Sequence, residues 1–255
     1  MPNPILTREF GESKGEEPAS PPVPGSEVTP GVASGSVMTK ASVTLATVGF
    51  LALVVVGAIF GWQNASSISR WWWAITIGLL ALALSALFVP RLVPMAGVTY
   101  SALSGALLGA LSKEYETFYD GIVFLALTAT VAVFMVALTL YVTGVVRVTQ
   151  RFRATILVAV CGIGLFYLVT WVLSLFGIGV PLVTGAGPGA IAFSLIVILL
   201  VSLGLMLDFD MIERGIAAGA PQAMTWFAAF GLITSIVWIY VEILRLLVIL
   251  ARRSQ

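Results

Sequence analysis

Four carboxylates stand in apolar surroundings where a charge has to be explained. Three arrive together in "LMLDFDMIERG", residues 205–215, where Asp208, Asp210, Glu213 and Arg214 follow seventeen residues without a charge. The fourth, Glu242, lies in "WIYVEILRLLVIL", with Arg245 one helical turn later. Carboxylate oxygens in such places can ligate a hard cation, carry a proton, or merely pair with a base. On a helix, Asp210 and Arg214 are four apart, acid before base, the favourable order for an ion pair. Asp210 and Glu213 are therefore expected on a wet face near a membrane surface. Asp208 has Val201, Gly204, Leu205, Ile212 and Gly215 as helical neighbours and projects from the apolar stripe. A charge there costs about 2.5–3.5 kcal/mol on insertion scales, so it should face the bundle interior or a wet cavity.

Glu242 has two readings. In one, Arg245 neutralises it inside a single helix. In the other, Arg245 reaches toward the outer interface with Arg252 and Arg253, and Glu242 turns to Asp208. Two carboxylates sharing a low-dielectric site cannot both ionise cheaply, so protonation would change how the helices hold together. Such a pair would also present oxygen ligands to a cation. The second reading has a geometric condition. A helix unbroken from Gln222 would carry Glu242 about 30 Å along its axis, too deep to meet Asp208. Pairing requires a start near residues 228–231, with "GAPQAMTW" as a surface loop.

Composition narrows the remaining chemistry. Histidine is absent, which excludes histidine metal sites, Ser-His and Cys-His dyads and a histidine pH switch. The one cysteine, Cys161, lies in an apolar run and reads as a small buried hydrophobe. Gly-x-Gly-Asp, Gly-x-Ser and His-Glu-x-x-His sites are missing from the apolar runs, so no enzyme activity and no cofactor are expected. A net charge of +1 supplies no basic face for nucleic acid.

The elements that must position the carboxylates are membrane helices. The chain is 59% hydrophobic and 10% charged, against roughly 25% charged in soluble domains. A span needs about 20 apolar residues, and seven runs approach that: 41–62, 71–90, 96–112, 121–146, 154–177, 188–208 and 224–250. The third carries Ser101, Gly105, Gly109 and Ser112 at helical spacing, small residues that let neighbouring backbones approach. Trp71–Trp73, beside Trp62 and Arg70, read as an aromatic belt at a helix end. With seven spans, Lys40, Arg91, Arg147, Arg151, Arg153 and Arg214 fall on the amino-terminal side. Arg70, Lys113, Arg252 and Arg253 fall on the other, balanced by Glu114, Glu116 and Asp120. That bias puts the amino terminus in the cytoplasm. Residues 1–40 hold seven of the twelve prolines and five glutamates. They read as a disordered cytoplasmic tail, not as a signal peptide, ahead of a transmembrane domain over 41–253.

The order of these runs resembles a known family. "AGVTYSALSGALLGALS" leading into "EYETFYDGIVFLALTATVAVFMVALTLYVTG", the aspartate of "LDFDMI" and the "YVEILRLL" run together look like the Bax inhibitor family. This is the transmembrane Bax inhibitor motif group with YccA-like bacterial members. The likeness covers about 40–250, and the proline-rich tail with "NPIL" is similar to the actinobacterial branch. The resemblance implies an all-α integral membrane protein, a seven-transmembrane-helix bundle with a central last helix. It implies a pH-sensitive calcium leak through two membrane carboxylates in the cell membrane, with Ca²⁺ or H⁺ as the ion passed or sensed. Asp208 takes the first acidic position and Glu242 the second, as ion-pathway or metal-ligating residues. Here Glu stands where Asp is usual, with Arg245 one turn on, and Arg91 is the candidate for the family's basic partner. The competing expectation is a membrane protein without transport, which modulates a membrane protease or another complex.

Overall fold

In a hydrocarbon environment every backbone N–H and C=O must be satisfied within the protein, which leaves long apolar runs the α-helix. The computed structural model describes residues 36–254 and is helical throughout, apart from one antiparallel bridge between Val37 and Pro221. The helices are α1 (Lys40–Gln63), α2 (Ala65–Arg70), α3 (Trp72–Phe88), α4 (Val93–Phe118), α5 (Ile122–Val142), α6 (Gln150–Leu175), α7 (Pro181–Thr184), α8 (Pro188–Ala217) and α9 (Ala223–Ser254), with a 3₁₀ turn at Pro90–Leu92. Six of them, α1, α4, α5, α6, α8 and α9, are long and apolar enough to cross a membrane. The apolar part of α3, Trp72–Ala86, is shorter.

Local chemistry sets several of the ends. Thr39 and Ser42 form a reciprocal capping box at the start of α1. Proline in the first turn opens α4, α7 and α8, where its missing N–H costs nothing. Gly219, at φ +63°, makes the turn out of α8 that an L side chain would resist.

Two helix boundaries matter for the carboxylates. Helix α8 runs on to Ala217 instead of stopping at residue 208, so the whole charge cluster is helical. Helix α9 starts at Ala223, as the 224–250 run implies, and not at the 228–231 that pairing of Asp208 with Glu242 would require. The expected tail lies outside the described residues up to 35. Ser36–Thr39 belong to the packed unit, because Met38 donates its N–H to the Ala220 carbonyl (2.8 Å) and its side chain is buried.

The small-residue face of α4 packs against α1. A Cβ on Gly105 would strike the Val54 carbonyl oxygen, and one on Gly109 that of Ala58. From the other side, Gly57 and Gly61 are pressed against the backbone of Ala102 and Ala106. The partner numbers rise together, so α1 and α4 run parallel. Helix α9 packs against α1, α4, α5 and α8, and α6 against α8. Tyr100 meets Phe230, and Ser112 meets Tyr240 at 2.7 Å, so α4 and α9 are parallel as well. The tryptophans Trp71–Trp73 are exposed at the α2–α3 junction.

Candidate functional site

Glu242 is the most deeply placed charge among the described residues, 2% exposed. Arg245 Nη1 donates to its Oε1 at 2.9 Å, one turn along α9. Its Oε2 accepts from the hydroxyl of Tyr167 on α6 at 2.6 Å. The same Arg245 nitrogen donates to the Tyr167 oxygen at 2.6 Å, while Nη2 reaches the Leu182 carbonyl in α7 at 2.6 Å. The guanidinium also lies 5.8 Å from the Tyr167 ring centre and 5.7 Å from that of Phe193 on α8. Of the two sequence readings, the internal pair is the one formed. Arg245 keeps that pair while its Nη2 reaches the α6–α8 connection, on the side of the α9 carboxyl end. Once Glu242 is buried, a fixed cation and two donors are what make its charge tolerable.

Asp208 sits differently. Its Oδ2 accepts from Ser235 Oγ on α9 at 2.7 Å. A Cβ on Gly231 would lie 3.3 Å from its Oδ1, so the glycine makes room for the carboxylate. No cation pairs with Asp208 among the described residues, whose only ion pairs are Asp210–Arg214 and Glu242–Arg245. The two carboxylates do not share a site. The early start of α9 puts Gly231 and Ser235 opposite Asp208, and Ser235 precedes Glu242 by seven residues, about 10 Å along the helix. Seven residues are close to two turns, so both positions occupy one stripe of α9.

The Asp210–Arg214 pair forms as its spacing implies, with Nη2 to Oδ2 at 2.7 Å and Nε to Oδ1 at 2.9 Å. The expected wet face is wrong for Asp210, which is 9% exposed. Arg214 reaches inward to cover it and touches the Val148 carbonyl at 3.5 Å. Glu213 is exposed and accepts from the hydroxyl of Tyr141 on α5. Arg91 is exposed in the 3₁₀ turn and forms no ion pair among the described residues.

Tyr167, Ser235 and the Leu182 carbonyl escaped the sequence reading. The first two had a signal: a tyrosine or serine hydroxyl inside a span has to find a protein partner. Which partner depends on helix register, and no spacing within one helix supplies that. No group of three or more Asp, Glu or Cys side chains lies together to hold a metal ion among the described residues.

Compared with known families, residues 3–252 match the model of the family described as Bax inhibitor 1 like. No curated protein and no solved structure matches the chain.

Proposed function

Because the chain belongs to the Bax inhibitor 1 like family, we propose that this multi-pass membrane protein is a pH-regulated cation leak, with calcium as the ion. The carrying observation is a polar stripe of α9, on which Ser235 holds Asp208 and Glu242 holds Tyr167 and Arg245. A hard cation on this route meets oxygen ligands one level at a time, Asp208 and then the Tyr167–Glu242 level. Sites that bind weakly and in series suit passage better than a closed cage. Proton control falls on Asp208, whose charge has no fixed counter-ion, whereas Glu242 is held by Arg245.

The same reading takes seven crossings with α9 as the central helix. Parallel packing of α1 and α4 supports it, since the chain must return between them and α3 is the helix available to carry it. It also takes the cell membrane as the location, in the YccA-like branch of the family, with the amino terminus cytoplasmic on the side of Lys40, Arg147, Arg151 and Arg153. A reporter fused after Arg253 should then report the side opposite one fused before Lys40.

The direct test is calcium entry into liposomes carrying the purified protein and a trapped dye, measured across pH. Flux that varies with pH, and whose pH dependence flattens in Asp208→Asn, is the expected result. A protein that is folded yet passes no calcium at any pH would favour the non-transporting partner instead.

A further inference from the structure

A long groove opens sideways between α1 and α5, floored by α4, α8 and α9, with a cavity volume of about 1270 Å³. It runs from Lys40 to Gln63 along α1, about 35 Å at 1.5 Å per residue, and so covers the depth of a bilayer. Its walls in the half nearest Lys40 are mostly apolar and large, among them Val48, Leu51, Val131 and Leu138, with Thr44 and Thr47 between them. The mouth of that half is not apolar. Lys40, Glu213 and Tyr141 line it, at the ends of α1, α8 and α5 that meet on one side of the bundle. Lys40 has no ion pair among the described residues. Glu213 is exposed and accepts from the Tyr141 hydroxyl, which points it.

We propose that this half-groove is a binding site for a phospholipid whose zwitterionic headgroup carries an ammonium, of the phosphatidylethanolamine class. The acyl chains lie along the apolar walls, the phosphate meets Lys40, and the ammonium donates to Glu213. One cation and one carboxylate at the mouth match that headgroup in charge. A quaternary ammonium has no N–H to give Glu213, and an anionic glycerol headgroup has no positive charge for it. A partner's transmembrane helix fits less well. Close helix contact uses small residues, as Gly57, Gly61, Gly105 and Gly109 do between α1 and α4, whereas these walls carry branched side chains. A helix passing the mouth would also leave both charges unanswered.

The test uses the full chain in detergent, titrated with phosphatidylethanolamine, phosphatidylcholine and phosphatidylglycerol of identical acyl chains, with bound lipid counted by native mass spectrometry. The wild type should hold phosphatidylethanolamine about two- to fivefold more tightly than the other two, the range of an exposed charge pair. Glu213→Gln should erase that preference while still binding lipid. Lys40→Gln, an exposed change that leaves the walls intact, should weaken all three lipids. Val48→Trp with Leu138→Trp should displace all three while the helical circular dichroism stays unchanged. A wild type without preference overturns the site, as does a Glu213→Gln variant that keeps it. So does a photo-crosslinker at position 48 that captures protein instead of lipid in native membranes.

Discussion

Glu242 and Asp208 lie on the same stripe of the bundle, two turns apart as read from α9, and are held in different ways. Around Glu242 three groups contribute to fixing a charge: a guanidinium one turn away, a tyrosine hydroxyl from α6, and an α7 carbonyl that anchors the guanidinium in turn. Around Asp208 there is one hydroxyl and a glycine that leaves space. The first arrangement ties α6, α7 and α9 together and resists change. The second can gain or lose a proton without breaking an ion pair. The two acids are thus held differently, Glu242 by a network that joins three helices and Asp208 by one hydroxyl.

The largest effect should come from dismantling the held side. Glu242→Gln leaves the Arg245 charge buried without its counter-ion, at a cost of about 3–5 kcal/mol, read as a large drop in melting temperature in detergent. The double variant Glu242→Gln with Arg245→Gln should recover most of that loss. If the single variant is as stable as the wild type, Glu242 is not held as described and the contrast with Asp208 fails.

Next comes a control away from both acids. Gly109→Val pushes a side chain into the Ala58 carbonyl across the α1–α4 seam. Overpacking there should cost about 1–3 kcal/mol or more, with the pH profile of calcium flux unchanged. A shifted profile would mean that pH control is not local to Asp208.

Tyr167→Phe sharpens the comparison from within, because it keeps the ring and removes one donor to Glu242 and one acceptor for Arg245. A loss of about 1–3 kcal/mol is expected for leaving buried charged groups with one partner fewer, measured by thermal unfolding.

The smallest stability effects belong to the aspartates, which differ in function instead. Asp210→Asn should cost at most about 1 kcal/mol, since its partner Arg214 is 45% exposed at the side chain, and should leave flux as it was. Asp208→Asn keeps an acceptor for Ser235 and should barely move the melting temperature, yet it should flatten the pH dependence of flux. Equal flux effects from the two variants would remove Asp208 from the special position assigned to it.

Much of this molecule is set by composition and order along the chain. Long uncharged runs can only be helices in lipid, so the all-helical membrane fold was readable from residues 40–254. The glycines and serines of "SALSGALLGALS" marked a close helix seam, and the spacing of Asp210 and Arg214 announced their pair. These are properties within one helix or of side-chain size, and they need no partner to be stated. Which carboxylate meets which group was decided by the tertiary structure. Whether Asp208 faced Glu242 or Ser235 depended on where α9 begins, and a shift of five to eight residues at its start moves the facing position by about 8–12 Å. Likewise, the burial of Asp210 and the choice of Tyr167 as partner to Glu242 follow from how α5, α6, α8 and α9 rotate against one another. That rotation is fixed by the sum of many apolar contacts between helices, which no single stretch of sequence contains.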